Sequence, residues 1–213
     1  MQSLMAMFLR LCSDILRIIF RRQLRKRCSF HFAQRNDYQG DFWRDLDGIK
    51  PSCACERVCV SEYSPRPVQN YEIIVSAVTN PNYVGEGQKV LPTLFDQRLS
   101  RGLSVDRMEY TCADQFEERA KALVEGSSNK EYVGSIALSV RTLREVLYKE
   151  SRCFAVYDTA MPRNSAHAEI IQTENPPQGT PDVKKVRAKI RQGILSAVTN
   201  DGRVVTAQEI FRE

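Results

Sequence analysis

Asp158, His167 and Glu169 fall close together in one stretch, and they are the residue types that move protons or orient a water. His167 and Glu169 are two apart. In a strand they would share one face, with Ala166, Ala168 and Ile170 on the other. Glu169 is the carboxylate on which a catalytic reading rests, with His167 and Asp158 beside it. Ser104, Arg107 or Ser139 could join them from other strands. No nucleophile stands in a diagnostic setting, since neither G-x-S-x-G nor a Cys–His pattern occurs. The phosphate-binding patterns G-x-G-x-x-G and G-K-[ST] are absent too.

These residues need strands to hold them, and the apolar runs supply them. The spacing predicts one α+β domain with a small mixed sheet, its strands near 71–79, 103–107, 134–140, 153–157 and 166–171. Residues 153–157 are almost wholly apolar, as a strand covered on both faces would be, and are the candidate central strand. Helices are expected near 114–125, 142–150 and 181–196, where apolar residues recur at helical period. Thr142–Glu145 and Thr206–Glu209 both have capping-box spacing. Pro181 suits the first turn of the last long helix.

The triplet His167-Ala168-Glu169 resembles the H-x-E of zinc-dependent nucleobase deaminases. The P-C-x-x-C of that signature does not follow, so two metal ligands are missing and the reading is excluded. The order Ser104, Ser139, Glu169 is similar to that of ADP-ribosyltransferase-like folds. Their polar residue, Ser and Glu on successive strands hold a nicotinamide dinucleotide. That resemblance implies a small enzyme acting on a nucleotide, with Glu169 as the essential carboxylate.

Charge points elsewhere. Residues 1–50 carry ten Lys/Arg against five Asp/Glu, and the remainder is balanced at 21 of each. The surplus belongs to the N-terminal segment, which argues against a broad nucleic-acid-binding face on the domain. Residues 1–27 read as a basic amphipathic helix. Leu4, Phe8, Leu11, Ile15, Ile18 and Ile19 lie on one side; Ser3, Arg10, Asp14, Arg17 and Arg21 lie on the other. Arg10, Asp14 and Arg17 interrupt it too often for a membrane span. Residues 28–67 are expected to be an irregular linker and 68–213 the α+β domain. The leading expectation is therefore a non-catalytic interaction module held by Arg17, Arg21, Arg22, Arg25, Lys26 and Arg27. A protein partner comes first, with an anionic membrane surface or nucleic acid as alternatives through residues 10–27. The small enzyme is the alternative function.

Seven cysteines show no regular disulfide framework, so a reducing, cytoplasmic setting is expected. Cys53, Cys55 and Cys59 could offer thiolates to zinc. Their C-x-C-x3-C spacing is not the paired knuckle and no fourth ligand lies nearby, so no cofactor is expected.

Overall fold

Side chains alternate across strands, and here that alternation sorts the apolar residues into two layers, one on each face of a sheet. The computed structural model describes residues 2–34, 54–95, 102–173 and 183–212. The sheet contains β1 (Ile73–Val78), β2 (Leu103–Arg107), β3 (Gly134–Ser139), β6 (Phe154–Asp158) and β7 (His167–Gln172), in the order β3-β1-β2-β7-β6. A separate two-stranded hairpin pairs β4 (Leu147–Tyr148) with β5 (Ser151–Arg152). Helices α1 (Gln2–Ala33), α2 (Ala113–Ala122), α3 (Val140–Glu145), α4 (Val183–Ala197) and α5 (Ala207–Ile210) complete a single α+β arrangement. Every pairing is antiparallel, where a mixed sheet was expected.

One face carries Ile74, Leu103, Ile136, Leu138, Val156 and Ile170, packed by Val186, Ile190 and Ile194 of α4. The other face is covered in two pieces. Phe116 and Ala120 of α2, with Ala207 and Ile210 of α5, lie over Val75, Ala77 and Ala137. Leu24, Cys28 and Phe32 of α1 lie over Ala155, Tyr157 and Ile171. Among the described residues a cleft remains between these pieces over Ser104, Asp106 and His167 of β2 and β7.

Strand β6 is buried on both sides, as its composition requires, yet it stands at the sheet's margin rather than its centre. The outward Val156 amide donates to Glu56 Oε1 at 2.8 Å, from the turn Cys55–Arg57 that runs along that margin. The margin at β3 is also occupied: Ser135 and Val205 exchange backbone hydrogen bonds of 2.8 and 3.0 Å. A Cβ at Gly134 would sit 2.7 Å from Val204 Cγ1 and 2.9 Å from the Val205 oxygen. Only glycine admits the C-terminal segment so close, and its φ of +147° suits no other residue.

Two elements differ from the sequence-based expectation. Helix α1 runs six residues past Arg27 and ends packed on the domain, where residues 28–33 were read as linker. Its Cys28 is joined by a disulfide to Cys55, and Ala54, Val58 and Val60 beside that bond are buried. The helix expected over 142–150 stops at Glu145 and gives way to the β4–β5 hairpin. Its cap is Ser139, whose Oγ accepts from the Thr142 amide at 3.3 Å, so the Thr142–Glu145 box is not used. The Thr206–Glu209 box forms as spaced.

Candidate functional site

The pairing register decides which polar groups meet. Ser104 pairs with Glu169 and Asp106 with His167, so these four residues share the sheet face bearing the opening. Asp158 pairs with Ala168, which turns it to the opposite face. His167 and Glu169 are therefore brought together, and Asp158 is separated from both.

Asp158 belongs to a buried ion network. Arg107 donates through Nε and Nη2 to Glu72 at 2.7 and 2.8 Å, and through Nη1 to Asp158 at 3.1 Å. Nη1 also reaches the Arg66 carbonyl at 2.8 Å, and the guanidinium lies 4.4 Å over the Tyr110 ring. The Arg107 side chain has no solvent exposure. Burial pushes the Asp158 carboxyl above its ordinary value, against the hydrogen bond from Ser64 and the charge of Arg107. For Arg107 burial acts downward, and the hydrogen bonds and charge of Glu72 overcome it, so its pKa rises. The network cross-links β2, β6 and the segment before β1. It lies away from water, and none of Glu72, Arg107 and Asp158 lines the cleft on the open face.

That cleft has a volume of about 360 Å³ and is lined by Ser104, Asp106, Arg119, Asn164 and His167 among Phe116, Ala120 and Met161. Asp106 accepts from Arg119 Nε and Nη2 at 3.1 and 2.7 Å and from Asn164 Nδ2 at 2.8 Å. His167 Nδ1 lies 2.8 Å from Thr159 Oγ1 and 3.1 Å from the Thr159 carbonyl, which fixes the ring. These bonds hold a rigid polar rim around an apolar floor. Glu169 is not among the lining residues. It sits in the row of Ser104 and crowds Gly102, where a Cβ would be 3.3 Å from its Cδ. Of the serines in the ribosyltransferase resemblance, Ser104 faces Glu169. Ser139 caps α3 from β3, with β1 between it and β2.

Sequence reading named Arg107 as a possible companion of Asp158 and missed Glu72, Asp106 and Arg119. The signal was there in part. Asp106-Arg107 places opposite charges on the two faces of one strand, and a charge inside a sheet demands a partner on its own side.

The cysteine cluster does not stay together as thiols. Cys55 is bonded to Cys28, and Cys53 lies outside the described residues. Burial, reinforced by the charge of Asp158, raises the Cys59 thiol to about 11, so it is protonated at neutral pH. Among the described residues no group of three or more His, Cys, Asp or Glu could hold a metal ion.

The arginines and the lysine of α1 are all exposed. Arg17 makes a 4.0 Å pair with Asp14, and Arg25 donates to the Ser61 carbonyl at 3.3 Å. Arg21, Arg22, Lys26 and Arg27 have no bond or ion pair among the described residues. Positions 10, 14, 17, 21, 24, 28 and 32 form one stripe at steps of three and four. It is charged through Arg21 and becomes apolar from Leu24, where it docks on the sheet. The body-facing side of the projecting half is thus the charged one. Met5, Met7, Leu11, Ile15, Leu16, Ile18, Ile19 and Phe20 are 47–69% exposed. Among the described residues no helix is long and apolar enough to cross a membrane. Comparison with family models, curated proteins and solved structures finds no match to this chain.

Proposed function

We propose that the protein is a non-catalytic interaction module attached to an anionic membrane surface by the projecting part of α1. The observation that carries the reading is the row of eight exposed large apolar side chains between Met5 and Phe20, followed by five basic residues within positions 21–27. An interfacial helix needs both: an apolar face to enter the headgroup boundary and cations to meet acidic lipid. Ile15, Leu16, Ile18, Ile19 and Phe20 cover an arc of about 200° of the helix, opposite Arg17 and Arg21. That is broader than the a/d seam of a coiled coil or the anchors of a groove-bound helix. Asp14 is the only acid in α1, so a second copy would bring like charges together.

The reading is tested by flotation of the intact protein with phosphatidylserine-containing and neutral vesicles. Leu11→Glu/Ile15→Glu changes exposed positions and leaves the fold intact; it lowers the membrane affinity by about a hundredfold or more, because two apolar side chains that bury in the bilayer contribute about 3–6 kcal/mol together. Wild-type binding weakens as salt rises. Wild-type protein that stays with the soluble fraction on acidic vesicles rejects the membrane, and capture of α1 by a protein would then indicate a groove. The alternative, a small enzyme using Glu169 with Asp158 and His167, finds less support, because the register turns Asp158 away from the other two.

A further inference from the structure

A second hollow, of about 730 Å³, lies where α1, the turn Cys55–Arg57, the segment before β1, α3 and β5 meet. Its walls carry Arg21, Arg57, Arg141, Arg144 and Arg152 against Glu56 and Glu145. Glu56 is 4% exposed and already committed: it accepts from Arg144 Nε at 2.8 Å, from Arg152 and from the Val156 amide. Arg144 is held as well, donating through Nη1 to Asn70 Oδ1 at 2.6 Å and through Nη2 to the Val68 carbonyl at 3.0 Å. Arg21, Arg57 and Arg141 come from three separate elements and have no hydrogen bond or ion pair among the described residues.

We propose that this hollow binds a compact, multiply phosphorylated molecule. Three uncommitted guanidinium groups facing one concave space repel one another until an anion enters. The fork of N–H donors on each matches phosphate oxygens two at a time. The size is that of a small-ligand cavity rather than of a surface that tracks a nucleic acid backbone. Among the described residues no aromatic side chain lines it, so a base would find nothing to stack on, which disfavours nucleotides and single-stranded nucleic acid. Glu56 serves as the internal counter-charge that orients two of the arginines. The site does not depend on how α1 is used, since Arg57 and Arg141 lie off that helix.

Titration calorimetry of the full chain with inositol hexakisphosphate, at fixed ionic strength, tests the site. Saturable binding of one molecule per chain is expected. Arg57→Gln/Arg141→Gln, with folding checked by circular dichroism, weakens it by about tenfold or more. Lys184→Gln/Lys189→Gln removes the same charge from the exposed face of α4 and leaves binding unchanged. Vesicles bearing phosphatidylinositol 4,5-bisphosphate, compared with phosphatidylserine vesicles of equal charge, separate the sources. A preference that the soluble polyphosphate competes away assigns a lipid headgroup, and soluble binding without that preference assigns a free polyphosphate. No saturable binding, or equal losses in the two double variants, overturns the proposal.

Discussion

Arg107 shows what one buried charge demands of its surroundings. Its guanidinium contacts no water and is neutralised by Glu72 on one side and Asp158 on the other. Removing the cation leaves two buried carboxylates without the charge they share, so Arg107→Met destabilises by about 3–5 kcal/mol. Asp158→Asn keeps the shape, with its one oxygen accepting from Arg107 and its amide turned to the Ser64 hydroxyl, which can accept, and costs less than about 1.5 kcal/mol. The pH dependence separates the two further. Because the folded carboxyl of Asp158 has a raised pKa, its favourable contribution is full below the unfolded value near 3.8. It declines as pH rises through the folded value. Urea denaturation across pH will show wild-type stability falling relative to Asp158→Asn as the solution moves upward from that point. A difference that grows in the wild type's favour rejects the assignment.

Among the elements, the β4–β5 hairpin explains why part of the fold was hidden in the sequence. Lys149 and Glu150 form its two-residue turn with φ of 48° and 67°, a left-handed pair that usually takes Asn-Gly. With helix-forming Lys and Glu there instead, the segment reads as a continuing helix. The double substitution Lys149→Asn/Glu150→Gly relieves that conformation and raises stability by about 1 kcal/mol, measured by chemical denaturation. The sheet strands were legible because β-branched runs with turn residues at their ends have few other structures open to them. Apolarity on both faces of β6 correctly signalled double coverage. It does not encode position, since a marginal strand covered by a turn and a helix has the same composition as a central one. Likewise Leu24, Cys28 and Phe32 are hidden in an arginine-rich stretch, so periodicity alone did not reveal the docking half of α1. Of the acid–imidazole–acid set, the shared face of His167 and Glu169 was legible from their spacing. Asp158 was not, because its face depends on a cross-strand register that sequence distance does not specify.

At the scale of the molecule, α1 is two parts on one axis: a projecting half and a docked half cross-linked to the turn that closes the β6 margin. Deleting residues 1–20 leaves the unfolding midpoint unchanged, since among the described side chains of that stretch none belongs to the buried clusters. Cys28→Ser opens a cross-link of sequence separation 27 and lowers stability by about 2–4 kcal/mol. Calorimetric melting of the two proteins side by side checks both statements. Equal losses in the two would place the projecting half inside the cooperative unit.

The two occupied margins of the sheet set how copies of this protein can associate. With Glu56 on the β6 rim and the Val205 segment on the β3 rim, neither outer strand can serve as a template for an incoming chain. Fibre growth or strand exchange would first require one of those covers to peel off, and the β6 cover is anchored by the Cys28–Cys55 bond. Contact between crowded native molecules at these two rims would therefore have to use side chains rather than shared backbone.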